Sequence, residues 1–191
     1  MALVIGTNCG FVLAAPTGDP GGGLEVVADA AAHAWKVTSP TGVNLVTEMG
    51  WYCATESEAS NFQVGIYSHD SDNNRPLTLL ASSGDIAKGT TTGWKTADVL
   101  CDIEAETIYW LGLQVDNTTA STKVDATSTV GQLDRYKLYQ TSLPFSWGAT
   151  DGFDAWLVAL YAVYTAAGST MTQAIASSAA IIAMTKGTSR L

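Results

Sequence analysis

The chain has 191 residues, of which 47% are hydrophobic and 14% charged, and carries a net charge of −9. Such a chain folds around a buried core rather than staying disordered, and its acidic surface excludes a phosphate-backbone partner. The scattered basic residues form no patch for an anionic membrane, and no run of about 18 apolar residues offers a membrane span.

Residues 1–23 are small, apolar and punctuated by glycine and proline, ending in "GDPGGG". They read as an arm, or as a first strand followed by a flexible turn. The opening "MALVIGTNCGF" lacks the basic leader of a secretory signal, so the chain is expected to be made and used without export.

From Leu24 onward the pattern predicts strands. In "VNLVTEMGWYCA" the alternation puts Val43, Leu45, Thr47, Met49, Trp51 and Cys53 on one face, with Asn44, Glu48 and Tyr52 on the other. "FQVGIY" repeats the pattern with Phe62, Val64 and Ile66. Next comes "HDSDNNRP", in which Asp70, Asp72 and Asn74 have the spacing of the first ligands of a calcium-binding EF-hand loop. That loop needs Gly at its sixth position and Glu at its twelfth, and here Arg75 and Ala81 stand there. Pro76 also fixes the backbone where a carbonyl ligand belongs. A polar hairpin turn accounts for the same residues, because Asp and Asn side chains bond local backbone and tolerate left-handed geometry.

"TIYWLGLQV" (107–115) is apolar on both faces, as a central strand is. "FDAWLVALYAVY" (153–164) is similar and long. A buried helix competes there, but the density of Val, Tyr and Trp favours a strand. Clusters of Gly, Pro, Asn, Asp and Ser separate these runs at even spacing, the signature of a sandwich or barrel.

The tail "TAAGSTMTQAIASSAAIIAMTKGTSRL" differs in composition. Thr170 with Gln173 fits a capping box, and Met171, Ile175, Ser178 and Ile182 follow helical spacing, with Ala174 and Ile181 widening the stripe. A helix of about fourteen residues spans roughly 21 Å, too short for a bilayer and hardly stable alone. Its β-branched residues leave an extended strand open. Either form needs a surface to bury it, on its own domain or on another subunit.

No motif for catalysis or metal binding emerges. There is no GxSxG elbow, P-loop or GxGxxG, and His33 and His69 lack the spacing of a metal pair. Glu104 and Glu106 point the same way if they lie on a strand, as a glycosidase pair or a solvated face would. Cys9, Cys53 and Cys101 are odd in number and lack CxxC, and read as small buried hydrophobes. No enzyme, catalytic residue, metal or cofactor is expected. Of six tryptophans, Trp51 and Trp110 sit in core-like strands. Trp94 and Trp147 adjoin turns and are the candidates for stacking on a sugar.

The order within 64–116 is a Gly-Ile-Tyr strand, a polar loop with Pro76, "LLASSG", a "GW" strand opening, then "ETIYWLGL". It resembles the layout of jelly-roll β-sandwich modules found in carbohydrate-binding-like extracellular domains and in bacteriophage virion proteins. The resemblance implies an all-β jelly-roll sandwich over 24–165, between an N-terminal segment 1–23 and a tail 166–191. It brings no catalytic residue. The missing export signal, the single module and the apolar extensions favour the virion. The expected function is that of a non-enzymatic capsid decoration or cement protein on the virion surface, assembled in the host cytoplasm where free cysteines stay reduced. Its expected partners are the major capsid protein and sister subunits, as a homotrimer by resemblance. Interface candidates are Leu3, Val4, Ile5 and Phe11 at one end, and Met171, Ile175, Ile181, Ile182 and Met184 at the other. The alternative is a carbohydrate-binding module of a phage fibre or extracellular protein, with glycan contacts at Trp94 and Trp147.

Overall fold

The computed structural model describes residues 2–27, 29–116, 119–125, 134–154 and 156–166. Among them every regular element is a strand. In chain order these are β1 (Gly10–Val12), β2 (Gly23–Val26), β3 (Ala31–Thr38), β4 (Val43–Cys53), β5 (Asn61–Asp70), β6 (Arg75–Ser82), β7 (Ile86–Ala87), β8 (Gly93–Asp102), β9 (Ile108–Val115), β10 (Ser121–Asp125), β11 (Asp134–Leu138), β12 (Gly152–Asp154), β13 (Leu157–Val158) and β14 (Leu160–Ala166).

They form two large sheets, ordered β1-β14-β4-β8 and β12-β11-β3-β9-β5-β6, and a small third sheet ordered β13-β10-β2. β7 pairs with β5. Setting aside the small sheet and the short additions, the strand orders are β1-β14-β4-β8 and β3-β9-β5-β6. That is the double-Greek-key order of a jelly roll. One strand departs from it: β1 runs parallel to β14, in register from Gly10 with Tyr161 to Val12 with Val163.

Alternation explains the main core. β8 buries Ala97, Val99 and Cys101 and exposes the residues between them, as an edge strand covered on one face does. Phe62, Val64 and Ile66 of β5 face it across the sandwich, joined by Leu111, Leu113 and Val115 of β9. Trp51 meets Phe62 edge to face at 6.0 Å. Cys9, Cys53 and Cys101 are free thiols and buried. Burial, and secondarily Asp125, push the Cys9 thiol up to about 12, so it stays protonated.

In β4 the alternation breaks. Met49, Trp51 and Cys53 are buried as expected, but Leu45 and Thr47 are only partly buried and Val46 is fully buried. The register against β8 shifts between Val46 and Glu48. Against β14, Glu48 pairs with Val163 and Val46 with Tyr164, so Thr47 is an extra residue in β4, a β-bulge that changes which parity faces the core; a second shift between Leu45 and Val43 restores it at the buried Val43. Tyr52, placed outside by the pattern, packs with Leu3, Cys9 and Ala159.

The described residues of the run 153–164 hold strands and no helix, but they do not form one continuous strand. β12, β13 and β14 belong to three different sheets. Ala159 marks the crossing: its N–H donates to the carbonyl of Lys123 in β10 at 2.8 Å, and its carbonyl accepts from Tyr52 of β4 at 2.9 Å.

The N-terminal segment is no free arm. Leu3, Cys9, Phe11 and Val12 are buried, and β1 completes a large sheet. The sandwich therefore begins well before Leu24.

β9 is buried on both faces. Its outer face carries a second, smaller core of Ala32, Ala34, Tyr67, Trp110, Leu143 and Trp147. The connection after β11 folds across the outside of the sheet to close it. Tyr67 donates its hydroxyl to Pro144 at 2.9 Å, and the Leu143 N–H bonds Gln63 Oε1 at 2.9 Å.

Candidate functional site

The segment after β5 is a tight polar turn into β6. Asp70 Oδ1 accepts from the backbone of Asp72 and Asn73, each at 3.2 Å. Its Oδ2 accepts from Asn73 Nδ2 at 2.8 Å and Arg75 Nε at 3.0 Å. Asn74 takes a positive φ of 47° and accepts Lys36 Nζ at 2.8 Å. These bonds occupy the carboxylate of Asp70, the Asn73 bond foremost, and hold it below the usual carboxylate range. Glu104 and Glu106 lie in the turn before β9, not on a strand, and Glu106 has a φ of 55°.

His69, at the end of β5, is a working part of the second core. Its Nδ1 accepts the indole N–H of Trp110 at 3.0 Å. Burial first, then Lys36, lower its pKa below 6.5, while Asp70 and the Arg75 backbone oppose the shift. A depressed histidine favours the neutral form in the fold, so its contribution is complete above 6.5 and fades as pH falls below that value. We expect wild type to lose stability between pH 7 and 5 relative to His69→Gln, whose amide oxygen also accepts. Parallel urea titrations of the two proteins read the difference; parallel pH profiles would disprove the assignment.

The proposed interface residues divide. Leu3 and Phe11 are buried within the domain, Phe11 in the main core. They are anchors, and their own packing removes them from any external contact. Val4 and Ile5 are 49% and 40% exposed. Met171, Ile175, Ile181, Ile182 and Met184 lie outside the described residues.

The proposed glycan-facing tryptophans divide too. Trp147 is fully buried and edge-on to Tyr67 at 5.2 Å, so its ring is closed to a sugar. Its loop-like surroundings conceal this, because the loop itself is a plug. Trp94 is half-buried, donates its N–H to the Gly18 carbonyl at 2.9 Å, and packs edge-on to Tyr52 and Tyr161. It borders an open depression of about 260 Å³ that includes Asn8 and Pro16.

A more enclosed cavity, of about 280 Å³, lies where β2 and β10 of the small sheet face β3 and β11 of the large one. It continues the main core, since Val27, Trp35 and Val124 belong to both. Alternation along β3 sends His33 and Trp35 to this face, while Ala32 and Ala34 face the second core. The two rings stack at 5.7 Å with planes 11° apart. Asp134, paired with Trp35 in the ladder, places Oδ2 3.5 Å from His33 Nδ1. Tyr136 and Trp156 complete the aromatic lining. Three buried polar atoms among the lining residues lack a hydrogen-bond partner among the described residues: His33 Nε2, Trp35 Nε1 and Thr122 Oγ1.

Among the described residues no three His, Cys, Asp or Glu side chains gather to hold an ion. No helix of the described residues is long and apolar enough to cross a membrane. No protein-family model matches the chain, and a search of curated proteins finds no significant match.

Proposed function

We propose that the protein is a non-enzymatic structural protein of a bacteriophage particle, a capsid decoration or cement protein that acts as a homotrimer on the capsid surface. The jelly-roll strand order is consistent with this reading. The observation that carries it is the N-terminal segment, where Leu3 and Phe11 are locked in the fold while Val4 and Ile5 stand exposed. A hydrogen bond from the Val4 N–H to Asn8 Oδ1 at 2.7 Å stiffens the loop that presents them. Each of these side chains, once covered by a sister subunit or the major capsid protein, contributes about 1.5–3 kcal/mol, repeated over every copy.

Mass spectrometry of purified virions that carry the gene is expected to find the chain, and sedimentation velocity to find a trimer. Val4→Asp combined with Ile5→Asp should lower the melting temperature only modestly, because both side chains are only partly covered, and leave the protein folded, yet release it from particles. Absence of the chain from virions, or undiminished attachment of the double variant, would sink the reading.

A further inference from the structure

We propose that the cavity between the small sheet and β3–β11 binds a neutral sugar unit. The inference does not depend on the assembly role, and either can fail without the other.

The chemistry of the lining narrows the occupant. Trp35 is 6% exposed and Thr122 1% exposed, yet neither Trp35 Nε1 nor Thr122 Oγ1 has a partner among the described residues. Leaving a buried donor or acceptor unpaired costs about 1–3 kcal/mol, so a purely apolar occupant would keep that cost in place three times over. An anion is opposed by Asp134 and Glu25 in the lining and by the net charge of −9. What remains is an uncharged molecule rich in hydroxyls, with enough apolar surface to sit among aromatic rings.

A pyranose ring meets these demands. The stacked pair turns ring edges, not faces, toward the space between the sheets, because β3 holds His33 and Trp35 two residues apart with their faces together. Trp35 Nε1 can only donate. With an N–H at His33 Nδ1 directed at Asp134, Nε2 is left as an acceptor. One sugar hydroxyl accepts from Trp35 while its neighbour donates to His33. Thr122, reaching from β10 on the opposite wall, serves either role. Tyr136 and Trp156 supply apolar contact to the C–H faces of the ring.

The test is saturation-transfer NMR on the full chain with glucose, galactose, mannose and N-acetylglucosamine, each alone, and with glucose 6-phosphate as the charged comparison. At least one neutral sugar is expected to receive saturation. Thr122→Val keeps the shape of the wall, Trp35→Phe keeps an aromatic ring in it, and each removes one hydrogen bond. Either should weaken that binding by about tenfold; Thr122→Val should hold or raise the melting temperature, since it removes an unpaired buried group, while Trp35→Phe should lower it through the space left in the core. The proposal is overturned if none of the four sugars binds, which would leave water as the occupant. It is equally overturned if both variants bind as wild type does, or if glucose 6-phosphate binds more tightly than glucose.

Discussion

Replacing Trp110 with alanine is expected to lower the unfolding free energy by about 3–5 kcal/mol. The side chain is fully buried on the outer face of β9, clustered with Ala32, Ala34, Tyr67, Leu143 and Trp147. It also donates to His69 at 3.0 Å and lies under the Arg135 guanidinium, 5.7 Å from the ring centre. Truncation empties the centre of the second core and leaves the connection from 139 to 150 resting on little. A domain with about 5–15 kcal/mol in hand would lose a large share of it. Urea unfolding should show the midpoint falling with an unchanged slope. Trp110→Phe separates the two contributions: it keeps most of the packing and strands the His69 acceptor, at a cost of about 1–3 kcal/mol. If Trp110→Ala costs less than about 1 kcal/mol, the outer face is not a packed core.

The second large effect is expected from adding volume rather than removing it. Gly65→Val should cost about 3 kcal/mol, because a Cβ there would stand 2.7 Å from the Ala81 carbonyl oxygen, 2.9 Å from Leu79 Cδ1 and 3.0 Å from Leu143 Cδ1. The first of these is backbone and cannot swing aside. Gly65 faces Gly112 across the β5–β9 ladder, and a Cβ on Gly112 would meet Tyr67 at 2.8 Å. The two glycines together form a trough in the outer face into which Leu143 and Tyr67 settle. For a chain of this size the melting temperature should fall by roughly 6–12 °C. An unchanged melting temperature would show that the trough is looser than its geometry implies.

Both effects arise on the face of the sheet that was hardest to read from sequence. The alternation in Phe62, Val64 and Ile66 and the two-sided apolarity of 107–115 state which faces are covered, because β5 and β9 keep unbroken register against each other and β9 keeps it against β3 as well. The alternation in β4 misleads over Leu45–Thr47, since the bulges there are set by pairing with β14 and leave no mark in the strand's own pattern. In 153–164 the type of element is legible but its division is not, because the hydrogen bonds of Ala159 are to β10 and β4, far away in sequence. Trp147 reads as a loop residue because its neighbours are Pro, Ser and Gly; only the outer face of β9, apolar where a solvated face should be polar, hints that something must cover it. The cavity draws on β2, β3, β10 and β11, so no local window contains it. Its one visible trace is His33, a polar ring two residues before Trp35 on the core-facing side of an apolar strand.

The parallel pairing of β1 with β14 has a mechanical consequence. In an antiparallel closure the chain would enter and leave this sheet at the same end. Here Leu3 packs beside Ala159, at the start of β14, while Ala166 lies at its far end, roughly 20 Å away along the strand. Tension drawn between those two points pulls β1 and β14 in opposite senses along their common axis. It loads the bonds of that ladder together, in shear, instead of peeling them apart in succession. The body of the sandwich thus stands as a spacer in the line of force, and whatever is held at one end is kept a strand's length from whatever is held at the other.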